Sequence, residues 1–220
     1  MQQHISLRSH GTIEHRRDQF PWTEEGFKIL SIDGGGIKGI LPAAVLAECE
    51  RRFISGRTSA DYFDMIGGTS TGGIIALGLG LGMAANDVLD IYLEQGATIF
   101  PERKTWPIPG TGLIQTLYHF TRDLQHYRYE REPLEKALRG AFCCSTLGDS
   151  RRRLVIPSFD GFNEVTVFKT PHHPDFKLDW KEEVVTIALA TSAAPTFFPL
   201  MRTVLAHSLM AAYGPIIQSW

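Results

Sequence analysis

The chain has 220 residues, of which 43% are hydrophobic and 21% charged, a composition that suits one packed globular domain and excludes a disordered, collagen-like or coiled-coil protein. Lys and Arg total 22 against 24 Asp and Glu, a net charge of −2, so no overall positive field exists to hold a nucleic acid polymer or an anionic lipid surface. The longest apolar stretch, Gly72 to Met83, is about 12 residues with five glycines, short of the roughly 20 apolar residues that span a bilayer.

Residues 1–26 have no apolar period and read as a flexible N-terminal arm. They begin with polar MQQHISLRSH rather than a secretory signal, and the three cysteines, Cys49, Cys143 and Cys144, form no CxxC or metal-ligand spacing, so the expectation is a reduced, cytoplasmic protein. Phe27 to Asp33 has the apolar content of a buried strand and is broken by three glycines; the segment from Gly39 to Phe53 then reads as a helix with charges in its last turn. The same order repeats. Tyr62 to Ile66 reads as a short strand, Gly67 to Gly72 as a sharp turn, and Gly73 to Gly82 as an apolar helix, followed by another helix over Ala85 to Gln95. Parallel strands joined by right-handed crossovers set their carboxyl ends side by side, so the two strand-to-helix turns are expected at one sheet edge, where they can form a single site. Pro101 to Thr116 reads as a loop and Arg131 to Leu138 as a short helix with Pro133 near its start. Leu154 to Phe159 and Glu164 to Phe168 read as strands joined by an Asp160-Gly161 turn, and Val184 to Ala190 as a last helix.

Two motifs carry chemistry. Asp33-Gly-Gly-Gly-Ile-Lys-Gly39 presents Gly34, Gly35 and Gly36 at a helix start, where bare backbone N–H groups converge on an anion. Through Gly34, Gly36 and Gly39 it also matches a dinucleotide fingerprint. That reading needs an acidic residue closing a second strand about 20 residues on, and the region holds the charged helix end Glu48-Cys-Glu-Arg-Arg52 instead. A plain tight turn is a further alternative. The second motif, Gly68-Thr-Ser-Thr-Gly72, is a GxSxG between strand and helix, the setting of a nucleophile elbow with Ser70 as nucleophile. The loop N–H groups of Gly35 and Gly36 would then hold the oxyanion. A serine needs a base. The downstream histidines His119, His126, His172, His173 and His207 sit in no recognisable catalytic setting, and Asp160 belongs more simply to a hairpin turn.

DGGGIKG, GTSTGG about 35 residues later, and Ala190-Thr-Ser-Ala-Ala-Pro-Thr-Phe-Phe198 together resemble the patatin-like phospholipases over about Phe27 to Phe198. Arg131-Glu-Pro-Leu, Ile156-Pro-Ser-Phe-Asp-Gly and Val167-Phe-Lys-Thr-Pro-His-His-Pro-Asp resemble, within that family, the bacterial effectors of cyclic-oligonucleotide anti-phage defence. The resemblance implies a three-layer α/β/α sandwich, incomplete at the C-terminus, with the family domain over 27–200. It implies a Ser–Asp dyad that uses no histidine, metal or cofactor. Ser70 maps to the nucleophile, Gly34, Gly35 and Gly36 to the oxyanion loop, and Asp33, Gly39, Gly68 and Gly72 to the flanking motif positions. By the resemblance the dyad aspartate belongs in an Asp-Gly-Gly or Asp-Gly-Ala motif after Ser-Ala-Ala-Pro, and this chain has no aspartate after Glu183.

If the codons for Leu209 to Trp220 are regrouped, each triplet taking the third base of one and the first two of the next, the fixed bases allow Asp-Gly-Gly-Val-Trp-Ala-Asn-Asn-Pro-Ile-Met. The expectation is a one-base frameshift between Phe198 and Leu209, with 201–220 an out-of-frame tail. The expected activity is hydrolysis of membrane phospholipid esters at the inner face of the membrane. Resemblance to the defence effectors implies gating by a cyclic dinucleotide. With no overall positive charge to draw lipid in, the Pro101 to Thr116 loop, which carries Trp106, Ile108 and Leu113, is the candidate for a movable cap, the alternative being a surface loop whose aromatics pack on the sheet. An inactive remnant or binding module, for want of the aspartate, is the competing expectation, and a nucleotide-binding oxidoreductase the third.

Overall fold

A computed structural model describes residues 26–54, 56–101, 129–159, 165–173, 175–176 and 178–193. The expected N-terminal arm, the cap loop beyond Pro101, Asp160, His119, His126, His207 and the C-terminal tail lie outside the described residues.

The fold is of the α/β class. Strand β1 (Ile29–Ile32) is followed by a 3₁₀ turn over Gly36–Gly39 and helix α1 (Ile40–Phe53). Pro42 falls in the first turn of α1, where a missing N–H breaks no bond, and Arg51 and Arg52 sit in its last turn, where cations suit the helix dipole. A short helix α2 (Ser59–Tyr62) precedes β2 (Met65–Gly68). The sequence places this strand at Tyr62 to Ile66 and a turn from Gly67; the structure corrects both. Thr58 and Asp61 form a capping box, the Thr58 N–H donating to Asp61 Oδ2 at 3.0 Å, and this nucleates a helical turn through Tyr62 that delays the strand. The Asp64 carboxylate then accepts the Lys28 N–H at 2.8 Å and fixes the register at which β2 enters beside β1.

Helices α3 (Thr71–Gly80) and α4 (Ala85–Ile99) follow, then α5 (Arg131–Phe142), β3 (Arg153–Phe159), β4 (Val165–Lys169) and α6 (Val184–Ser192). Here α4 and α5 each run one turn beyond the sequence reading. The sheet order is β1-β2-β3-β4, with β1, β2 and β3 parallel and β4 antiparallel to β3. Helix α3 is apolar all round and every residue of it is buried, as such a helix must be. It lies on the sheet face that carries Ile66, Leu154 and Ile156, with α6 beside it and α4 and α5 behind. Leu154 Cδ1 lies 2.6 Å from where a Cβ at Gly80 would stand, so α3 sits closer to β3 than any larger residue permits. On the opposite sheet face Ile29 and Val165 remain 60% and 66% exposed among the described residues.

Candidate active site

The site is built at the carboxyl ends of β1 and β2. The Thr69 N–H donates to Ile32 O at 3.3 Å, so the strand-to-helix turns of both units meet at one sheet edge. Ser70, between β2 and α3, has φ 53° and ψ −125°. That conformation costs a residue with a Cβ about 1–3 kcal/mol and persists only where its surroundings impose it. They do so here through glycine. A Cβ on Gly68 would stand 2.4 Å from Gly72 O, and one on Gly72 would stand 2.2 Å from Ile32 O. Both outer glycines of GxSxG are therefore required by close backbone approach.

The elbow is tied down by two side chains that motif reading alone did not single out. The Ser70 N–H donates to Thr191 Oγ1 at 3.0 Å, and Thr191 Oγ1 donates in turn to Pro157 O at 2.6 Å, linking the elbow to α6 and β3. The Tyr92 hydroxyl donates to Thr71 O at 3.0 Å from α4, and burial pushes its ionisation upward. Thr191 belongs to the Ala190-Thr-Ser-Ala-Ala-Pro stretch that carried a family resemblance, but nothing in spacing pairs it with a residue 121 positions earlier.

The glycine loop lies against the serine. A Cβ on Gly34 would stand 2.8 Å from Ser70 Cβ and 2.8 Å from Thr69 O. Gly36 has φ 59°, in the left-handed region, and Gly39 is buried against Thr71. Among the described residues the N–H groups of Gly34 and Gly35 donate to no acceptor. Ser70 thus sits at the start of a buried helix, beside exposed loop amides that can receive negative charge. Its Oγ has no hydrogen-bond partner among the described residues. Asp33 is exposed at the loop's start.

Of the histidines that the structure describes, His172 is tied near the start of β3 rather than to Ser70. His172 Nδ1 is 2.8 Å from Thr170 Oγ1, and Thr170 Oγ1 accepts the Leu154 N–H at 2.9 Å, near the start of β3. Burial first, and the charge of Arg153 second, lower the His172 pKa to about 4. His173 is exposed beside Asp175. The acidic residues that a dinucleotide fingerprint would use are engaged elsewhere. Glu48 pairs with Arg51 and Arg52 on the α1 surface, while Glu50 accepts the Ser59 N–H at 2.6 Å and the Ala85 N–H at 2.8 Å. Neither closes a second strand.

Residues 30–205 match the family model for patatin-like phospholipase. The chain is 39% identical over 177 residues to a cGAMP-activated phospholipase of Pseudomonas aeruginosa, covering 80% of this chain and 49% of that protein. It is 38% identical to a cGAMP-activated phospholipase of Vibrio cholerae, covering 78% of this chain and 49% of that protein. It is 34% identical to Patatin-like protein 2 of rice, Oryza sativa subsp. indica, covering 78% and 43%. Among solved structures, VipD from Legionella pneumophila aligns at TM-score 0.44 and 16% identity over 81% of this chain and 44% of VipD. The chain spans about half the length of the curated relatives it matches.

Proposed function

We propose, from the premise that this chain belongs to the patatin-like phospholipase family, that it carries the nucleophile half of a lipid acyl hydrolase acting on membrane phospholipid. Ser70 Oγ attacks the ester carbonyl, and the loop N–H groups of Gly35 and Gly36, with Gly34 packed on the serine, stabilise the tetrahedral oxyanion. The lysophospholipid leaves, and water hydrolyses the acyl-enzyme to free fatty acid and serine. The observation that supports this most is the contact of Gly34 with a strained, glycine-flanked Ser70 at a helix start. Each aligned oxyanion donor is worth about 3 kcal/mol, a factor of about 10²–10³ in rate.

The base is an aspartate by family resemblance, and we place it in the shifted reading frame after Phe198. Genomic DNA across codons 195–225 tests that placement: an open frame running through Asp-Gly-Gly supports it, and stops in every frame remove it. The name of the bacterial relatives motivates a further element of the proposal, that a cyclic dinucleotide raises the activity; action at the inner membrane face is proposed from the expected cytoplasmic location and lipid substrate alone. Among the described residues no helix is long and apolar enough to cross a membrane.

The test is an assay of phospholipid ester hydrolysis by the frame-restored protein and its Ser70→Ala variant, with and without a panel of cyclic dinucleotides. Loss of all hydrolysis in Ser70→Ala, with an unchanged thermal midpoint, is expected. Equal activity of the two proteins would overturn the serine mechanism, and full activity without nucleotide would overturn the gating alone. The competing proposal is an inactive binding module, since among the described residues Ser70 Oγ has no hydrogen-bonded base. Lipid binding without turnover, in both the given and the frame-restored protein, would select it.

A further inference from the structure

Ser70 shares its backbone conformation with one other non-glycine residue among the described residues. Cys143 has φ 50° and ψ −123°, against φ 53° and ψ −125° at Ser70. It closes α5 and is the first central residue of a tight turn in which the Ser145 N–H donates to Phe142 O at 3.1 Å. Glycine normally occupies that position. The second central residue is Cys144, and both thiols are free and exposed. A strained position occupied by cysteine, next to another cysteine, places two nucleophilic sulfurs on one solvent-facing turn.

The turn is joined to the far side of the elbow. Ser145 O accepts the Val184 N–H at 2.9 Å, Leu147 N–H donates to Glu182 O at 2.9 Å, and Thr146 pairs with Glu183. These contacts hold the N-terminal end of α6. The C-terminal end of the same helix presents Thr191, whose Oγ1 accepts the Ser70 N–H. Of the nine residues of α6, eight are buried, so the helix can move only as a packed body.

We infer that Cys143 and Cys144 form a reversible thiol switch, closed to a vicinal disulfide by hydrogen peroxide, whose state is felt at Ser70 through α6. The chemistry balances without help from other groups. One thiol sulfur attacks the outer peroxide oxygen, forming an S–O bond, breaking the O–O bond and releasing one water. The second sulfur attacks the resulting sulfenic acid, forming the S–S bond, and hydroxide leaves as a second water with the remaining thiol proton. Two electrons pass from the sulfurs to the peroxide. Neighbouring Cα atoms lie about 3.8 Å apart, below the usual disulfide range of about 4.4–6.8 Å. The closed form is therefore strained and easily reduced, as a reversible switch requires, and it cannot keep the open turn's geometry.

Trypsin cleavage after Arg139 and Arg151 releases one peptide, Gly140 to Arg151, holding both thiols and no other cysteine. The full chain, purified in reductant and then treated with hydrogen peroxide, should give this peptide lighter by two hydrogens, with the mass restored by dithiothreitol. Amide exchange over residues 68–77 should rise about tenfold on oxidation and return on reduction. The Cys143→Ser/Cys144→Ser double variant, and Cys143→Gly as an independent check suited to the backbone, should keep the reduced protein's exchange and ignore peroxide. Sulfinic or unmodified cysteines in place of the disulfide overturn the switch. A disulfide with exchange over 68–77 unchanged within about twofold overturns the link to the elbow. Both readouts are independent of whether the chain hydrolyses lipid.

Discussion

At the scale of single residues, the site depends on what is absent at Gly34 and on what is present at Thr191. Gly34→Ala puts a methyl group into space held by Ser70 Cβ and Thr69 O, both at 2.8 Å, and neither neighbour is the free end of a flexible side chain. The loop must withdraw from the serine. Hydrolysis by the frame-restored protein is expected to fall about 10²-fold or more through kcat, with KM less affected, because the loss falls on oxyanion binding. An unchanged kcat would show that this loop does not face the reacting carbonyl. Thr191 accepts from Ser70 N–H and donates to Pro157 O. Thr191→Val keeps the shape and removes both bonds, so urea unfolding should show a loss of about 1–3 kcal/mol. Thr191→Ser should recover most of it. A stability equal to that of the parent in the valine variant would mean the elbow holds its conformation without α6.

At the scale of elements, the helical layers are fastened by bonds between segments far apart in sequence. Glu50, on the last turns of α1, caps two other helices at once, taking the Ser59 N–H of α2 and the Ala85 N–H of α4. Each is an N-terminal amide that would otherwise lack an intrahelical partner. Glu50→Ala is expected to cost about 1–2 kcal/mol in denaturant unfolding, comparable to losing a good N-cap. A cost under a few tenths of a kcal/mol would show that water replaces the carboxylate at both ends. The tie matters for the site because α4 also carries Tyr92, which holds Thr71 at the foot of the elbow. Exposure on the outer side of α1, where Leu41 is 70% accessible, contrasts with the complete burial of α3.

At the scale of the whole molecule, stability against acid is set in part at the sheet end away from Ser70. Burial holds the folded His172 pKa at about 4, below the ordinary histidine value of about 6.5. Between those values the unfolded chain binds the proton and the folded chain does not, so stability is retained above about pH 6.5 and lost as pH falls toward 4. Asp179 and Glu182, nearby in the chain, have pKa values raised by burial, which acts in the opposite sense as pH rises through the carboxylate range. The His172 contribution falls in the window from about pH 6.5 to 4, and its partial exposure keeps it well below that of a fully buried group. His172→Gln should flatten the thermal midpoint over that window. A variant with the same acid sensitivity as the parent would place the proton uptake elsewhere.

The sequence by itself determined the two strand–glycine–helix units, because glycine runs after short apolar runs leave few other folds. It also determined Ser70 as the elbow residue, because GxSxG marks a turn whose outer positions exclude a Cβ. The β3–β4 pairing was legible too, from two β-rich runs on either side of an Asp-Gly pair, and their antiparallel register from Phe159 opposite Val165 agrees with it. Three features were decided only by the tertiary structure. The start of β2 moved from Tyr62 to Met65 because the Thr58–Asp61 capping box outcompetes strand propensity locally. Thr191 became the anchor of the elbow because α6 packs beside α3, a neighbourhood no local pattern encodes. Cys143 took the same rare backbone conformation as Ser70 without any glycine in its turn to announce it. Sequence patterns report forces that act within a few residues. Hydrogen bonds spanning 34 to 121 positions are fixed only when the layers close on one another.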